Sequence, residues 1–224
     1  MDIKELIKKR ILDDKESVKR ANEPIEFFHS SSLGYCKRQI FLSKINAKDF
    51  AQWIKGSMRA GTNLHNWIQS FQEIKDACLI EQVVKYPIND KVFIKGSADI
   101  VHKQTGYVWD IKSIKTLTFV YGKPKDEHVE QLNSYLFGLG SKEGEILYIQ
   151  KSDLAVVSHK VTLNVELFES TKKKVMDVYE QLLLWDSKQI KYCPFDPCSC
   201  YFCKNENLKP EFKDIDAGRP DLRQ

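Results

Sequence analysis

The chain has 224 residues, 42% of them hydrophobic and 29% charged, with a formal net charge of +4. That supports one substantial core, so a single domain with appendages is expected. The mild basicity is compatible with a nucleic-acid partner without requiring one, and the absence of a run of about 18 apolar residues argues against a membrane-spanning helix.

Residues 2–20 are charged throughout, with Ile3, Leu6, Ile7, Ile11 and Leu12 near one helical stripe. This reads as a helix and not as a signal peptide, so a cytoplasmic location is expected. After a polar stretch, "SSSLGYCKRQIFL" puts a serine cluster where it would cap a helix beginning near Leu33 or Tyr35. A helix is expected over 59–77, with Leu64, Trp67, Ile68 and Phe71 on one side. Strand signals follow at 79–86, 91–102 and 107–114, then a helix over 126–139 and strands at 145–150 and 155–163. A long amphipathic helix over 165–186 carries Val165, Phe168, Val175, Val178, Leu182 and Trp185. This order predicts a mixed α/β (α+β) core in one domain over 1–224, centred on 59–165, with a polar tail over 205–224.

The stretch "GSADIVHKQTGYVWDIKS" (96–113) carries Asp99, Asp110 and Lys112 inside strand runs, where charges are depleted. Strand side chains alternate faces, so the loop length decides whether these charges meet. A loop centred on Gln104–Thr105 sets Asp99 opposite Asp110, and one centred on Thr105–Gly106 sets it opposite Lys112. Either even loop puts all three on one face and leaves Ala98, Ile100, Tyr107, Trp109 and Ile111 as a core face. Two opposed carboxylates repel, and a divalent cation removes the conflict. Mg²⁺ and Mn²⁺ prefer such oxygen ligands. Gly96, three residues before Asp99, marks a bulge or a close backbone approach. The plain alternative is a solvated polar face with Lys112 neutralising a carboxylate.

Gly96-x-x-Asp99, then Asp110-Ile111-Lys112, then Gln131-x-x-x-Tyr135, preceded by His65 in "AGTNLHNWI", resembles the RecB-like branch of the PD-(D/E)xK nucleases. The motifs span roughly residues 61–135, in the family's order. The resemblance implies a restriction-endonuclease-like core, a mixed central sheet flanked by helices. It implies Mg²⁺ or Mn²⁺ held by His65, Asp99, Asp110 and the Ile111 carbonyl, with Lys112 catalytic. Gln131 and Tyr135 would support Lys112 and contact the DNA strand. A metal-dependent deoxyribonuclease is thus expected, an exonuclease acting on single-stranded DNA or DNA ends. His128 lies three residues before Gln131 on the same helix face and would line the groove.

Of six cysteines, Cys193, Cys198, Cys200 and Cys203 fall within eleven residues, which points to a metal or cluster site rather than disulfides. The layout resembles the iron–sulfur members of the same branch: the CRISPR-associated exonucleases of Cas-four type, the AddB subunit and the Dna-two helicase–nuclease. These hold a cluster with one early and three late cysteines. Carried over, the set is Cys36, Cys193, Cys200 and Cys203, with Cys198 as the substitute for Cys200, from segments 30–45 and 190–204. A [4Fe–4S] cluster is expected, with Zn²⁺ the alternative, since tetrahedral thiolate sites suit either metal. Cys78 reads as a packed apolar residue.

Lys115, Lys123 and Lys125 after the catalytic strand, and Lys37 and Arg38 beside Cys36, are candidate phosphate contacts. Phe119, Tyr121 and Trp53 are candidates to stack on bases, and equally to be core. Partners expected beyond DNA are CRISPR-adaptation or recombination proteins, or further copies of the chain. The rival classes are a catalytically idle DNA-binding partner of the same fold and a zinc-stabilised interaction module.

Overall fold

The computed structural model describes residue Ile3 and residues 23–45 and 52–205, without the side chains of 52–57 and 205. The expected helix over 2–20, the Trp53 side chain and the tail beyond 205 lie outside the described residues. Strands β1 (Phe27–His29), β2 (Cys78–Pro87), β3 (Phe93–His102), β4 (Val108–Ile114), β5 (Glu143–Gln150) and β6 (Val156–Thr162) form one mixed sheet. The helices are α1 (Lys37–Ile45), α2 (Gln52–Gln69), α3 (Gln72–Ala77), α4 (Asp126–Leu139), α5 (Val165–Asp186) and α6 (Tyr201–Asn205).

Strand β3 organises the sheet. Strand β2 runs antiparallel along one edge for the whole of its length. The other edge is shared: β1 pairs in parallel with Phe93–Lys95, and β4 pairs antiparallel only at Ile100 and Val101. Between these contacts no strand among the described residues pairs with this edge of β3. Strands β4 and β5 are parallel, and β5 and β6 antiparallel. A parallel pair needs a crossover, and α4 supplies it. Helix α4 has Asp126 and Glu127 in its first turn, which suits the positive end of the helix, and stops at Gly140 in the left-handed conformation (φ 66°). Helix α5 starts at Asn164, whose side chain accepts a 2.8 Å bond from the Leu167 N–H.

Two cores flank the sheet. The larger joins Leu132 and Leu136 of α4 and Phe168, Val175 and Val178 of α5 to Val84, Tyr86, Val101, Val108 and Ile146. The smaller joins Ile100, Ile111, Ile149 and Cys78 to Leu64 and Ile68 of α2. The hairpin is therefore buried on both sides. The expected single core face is corrected, because Ala98 joins the larger core while Ile100, Ile111 and Trp109 join the smaller.

Three local expectations also change. The helix over 59–77 starts at Gln52 and breaks at Ser70–Phe71, where Phe71 is extended (ψ 131°) and Ser70 Oγ donates to Trp67 O at 2.6 Å. Trp67 and Phe71 meet edge to face and stay partly in solvent. The serines cap no helix: Ser30–Ser32 form a 3₁₀ turn, and α1 begins at Lys37. Strand β1 carries only three residues, too few for an alternating pattern to show.

Candidate active site

The β3–β4 connection is the four-residue turn Lys103–Gly106, closed by Gly106 N–H to His102 O and His102 N–H to Tyr107 O, both 2.9 Å. Gly106 takes φ 69°, a region that favours glycine. The loop is even, and the pairs Ile100–Trp109 and Val101–Val108 set the register that places Asp99 across from Asp110. The ladder stops there. Instead of a backbone partner, the Ile111 N–H donates to Asp99 Oδ2 at 2.6 Å. An extended residue directs its N–H and C=O to the same edge, so the Ile111 carbonyl faces this opening too. The splayed strands thus leave a gap lined by two carboxylates and a carbonyl.

Asp110 is 1% exposed and Asp99 8%. Lys112 donates to Asp110 Oδ1 at 2.9 Å and lies 2.7 Å from Oδ2, yet Oδ2 has no hydrogen bond among the described residues. The ammonium is close enough for Coulomb attraction but off the line a hydrogen bond needs. A buried carboxylate oxygen with a free lone pair is costly unless something else occupies it. Burial pushes the Asp110 carboxyl up to about 6, against the pull of Lys112 and with the repulsion of Asp99 added. His65, on α2, places Nδ1 3.6 Å from Asp99 Oδ2. A hard divalent ion fits this donor set: it would relieve the repulsion and engage Oδ2.

On α4, Gln131 Nε2 donates to the Tyr135 hydroxyl at 2.9 Å. Lys112 bonds Asp110, Gln131 bonds Tyr135, and no hydrogen bond joins either α4 residue to Lys112 among the described residues. Burial raises Tyr135 well above the ordinary tyrosine range, with Asp110 and Asp99 adding to it, so its hydroxyl keeps its proton. Gly96 is where Tyr135 rests, since a Cβ there would meet the Tyr135 ring at 2.8 Å and Ser30 Oγ at 2.9 Å.

Two residues of the site escaped sequence reasoning. Gln69 Nε2 donates to Asp99 O at 3.1 Å and to Glu81 Oε1 at 2.9 Å, while Ser97 Oγ donates to Glu81 Oε2 at 2.7 Å. Glu81 stands across from Asp99 in the β2–β3 register and has φ 50°, unusual for a non-glycine residue. Its signal was a lone carboxylate inside the strand "CLIEQVVKY".

The loop from β4 to α4 carries Lys115 and Lys123, both exposed, together with Phe119 (79% exposed) and Tyr121 (65%). Lys123 pairs with Asp126 at 3.9 Å in open solvent. Arg38 is corrected as a phosphate contact: it is 1% exposed and Nη1 donates to Phe195 O at 2.8 Å, tying α1 to the cysteine segment. Lys37 is paired with Asp177.

The sulfurs of Cys36, Cys198, Cys200 and Cys203 all lie within 4.8 Å of one another. Cys193 is outside this group. It is fully buried in the larger core, with its thiol toward Phe195 O at 3.9 Å. The expected set is corrected accordingly: Cys198 stands with Cys36, Cys200 and Cys203, and Cys193 packs. The neighbouring spacings are 3.7 Å from Cys36 to Cys203, 3.7 Å from Cys198 to Cys203 and 3.8 Å from Cys200 to Cys36. A tetrahedral zinc ion with Zn–S bonds of about 2.3 Å spaces its sulfurs about 3.8 Å apart. The N–H groups of Gln39 and Cys203 donate to Cys36 Sγ and Cys200 Sγ, each at 3.4 Å. Burial raises the Cys200 thiol, but the Cys203 N–H and the adjacent thiols outweigh it and bring it down to about 7. Cys78 is buried in the smaller core.

No protein-family description and no curated protein sequence matches this chain. Solved structures do. The crystal structure of SSO0001 superposes with a TM-score of 0.63 at 17% identity, over 95% of this chain and 98% of that one. An alkaline exonuclease (LHK-Exo) from Laribacter hongkongensis superposes with a TM-score of 0.55 at 13% identity, over 81% and 97%. The fold is similar to that of an exonuclease. Among the described residues, no helix is long and apolar enough to cross a membrane.

Proposed function

We propose that the chain is a divalent-metal-dependent deoxyribonuclease of the RecB-like PD-(D/E)xK type, acting as an exonuclease on single-stranded DNA or DNA ends. The observation that carries this reading is the buried, unbonded Asp110 Oδ2 in a gap shared with Asp99, beside His65 and Lys112. Asp99, Asp110, His65 and the Ile111 carbonyl would hold Mg²⁺ or Mn²⁺. When bound, the ion polarises the phosphate and lowers the pKa of its water.

Lys112, which bonds Asp110, is the cation of this site that would meet the attacking water or a phosphoryl oxygen. The Tyr135 hydroxyl accepts from Gln131 and keeps its own proton free to donate to a phosphate oxygen. Lys115 and Lys123 meet the flanking backbone phosphates. The test is degradation of end-labelled single-stranded DNA in Mn²⁺. Release of label by the wild type, abolished by chelation and by Lys112→Ala with folding retained, supports the reading. A wild type that binds DNA but never cuts it under any divalent metal overturns it.

The four gathered cysteines hold a structural metal. Here the spacing favours a second reading over the cluster implied by resemblance. Sulfur separations of 3.7 and 3.8 Å suit one tetrahedral Zn²⁺, whereas four irons with a thiolate each spread their sulfurs further. Anaerobic metal analysis separates the two: a colourless protein with one zinc, or a brown one with iron and sulfide. The zinc outcome would also weaken the likeness to the Cas-four type and its CRISPR-adaptation partners, while leaving the nuclease centre untouched.

A further inference from the structure

Helix α4 brings one more polar group to this region, and the chemistry above does not use it. His128 shares a helix face with Gln131 and Tyr135. Its Nδ1 lies 2.8 Å from the hydroxyl of Tyr148, a fully buried residue of β5 that stands beside Lys112 in the β4–β5 register. The Tyr148 hydroxyl accepts from the Lys125 N–H at 3.0 Å. Its own proton then has one acceptor among the described residues, His128 Nδ1. A buried hydroxyl that fails to donate is costly, so Nδ1 accepts and the ring hydrogen sits on Nε2. Burial brings the imidazole down to about 3, with Lys112 and Lys125 acting the same way, so the ring is neutral at working pH. Lys112 and Lys125 bear on the ring, while Asp110 and Glu127 bear on its partner Tyr148. No hydrogen bond of Nε2–H is seen among the described residues. A fixed donor that feels Lys112 and Lys125 electrostatically, with no acceptor of its own among the described residues, is suited to an anion.

We propose that His128, locked in one tautomer by Tyr148, donates Nε2–H to a non-bridging oxygen of the DNA phosphate and so positions the strand beside Lys112. This rests on the nuclease reading and names a contact that reading lacks. It differs from acid–base use of histidine: no proton leaves the ring, so His128 should add no ionisation to the rate profile.

The test is single-turnover cleavage in Mn²⁺ of a single-stranded oligonucleotide with one phosphorothioate of defined stereochemistry at the scissile position. Wild type is compared with His128→Ala, both checked for folding. His128→Ala should slow the all-oxygen substrate about 10- to 100-fold, the scale of one hydrogen bond to a charged group. It should also erase the extra slowing that one diastereomer imposes on the wild type. A variant that cuts at the wild-type rate, or that slows every substrate equally and keeps the wild-type diastereomer effect, overturns the inference. A wild type that cuts nothing overturns the nuclease reading and this contact with it, a separable result. Should His128→Ala fail to fold, isotope-labelled histidine NMR of the wild type carries the test. A ring in the Nε2–H form whose resonance moves when single-stranded DNA is added without divalent metal supports the contact. An unmoved resonance overturns it.

Discussion

Folding alone gives no reason to put Asp110 where it is. The carboxylate is buried, sits near Asp99, and leaves one oxygen unbonded although Lys112 lies 2.7 Å away. Site-building residues of this kind weaken the metal-free protein and are stabilised by what they bind. His128 gives a pH prediction at the same scale. Its folded value, about 3, lies below the ordinary 6.5, so the folded protein holds the proton less tightly than the unfolded chain. Stability is fully present above about 6.5 and is lost as pH falls toward 3, by no more than about 1.4 kcal/mol per pH unit. Urea midpoints at pH 7 and pH 5 should therefore fall further for wild type than for His128→Gln, and equal losses would contradict this. The acidic pair, Lys112 and the Gln131–Tyr135 spacing were legible in sequence, since each follows from strand parity or helical phase. Glu81 and Gln69 were not, because they reach Asp99 only through contacts between β2, β3 and the end of α2.

At the scale of elements, parity carried the hairpin. The even turn over Lys103–Gly106 brings Asp99 and Asp110 to one side. Local pattern did not reveal that the opposite end of β3 pairs with β1, which leaves the gap between. Gly96 sits at that gap. Gly96→Ala would drive a methyl into Tyr135 and Ser30, and should cost about 1–3 kcal/mol in a denaturant titration. It should also displace Tyr135, so nuclease activity should fall together with stability. The cysteines were legible as a group able to hold a metal but not as a specific set. Spacing treats Cys193 and Cys198 alike, whereas core packing around Phe195 claims Cys193. Cys198→Ser should therefore lower bound metal measured by elemental analysis. Cys193→Ser should keep the metal and lose stability instead, and the reverse pattern would restore Cys193 to the set.

For the whole molecule, the cysteine site joins distant parts of the chain, with Cys36 before α1 and the other three around the start of α6. Arg38 to Phe195 O and Phe41 against Trp185 at 5.9 Å reinforce the same joint. A metal held there would bind the folded form and not the separated ends, so on the proposed reading stripping it with a thiol-competing chelator should lower the melting temperature, with recovery on adding the metal back. The mixed class and the order of the main elements were legible from periodicity. The two-sided burial of the hairpin was not, because α2 on one face and α4 on the other are tertiary choices. The central claim is that the Asp99–Asp110 gap is a hydrolytic metal centre. Its most direct test is the rate at which wild type and Asp110→Asn release label from single-stranded DNA in Mn²⁺, both shown to be folded. The account predicts cutting by the wild type and a loss on the order of 100- to 1,000-fold in the variant, as for removal of a major transition-state contact. Equal rates for the two proteins, or no cutting by the wild type, would contradict it.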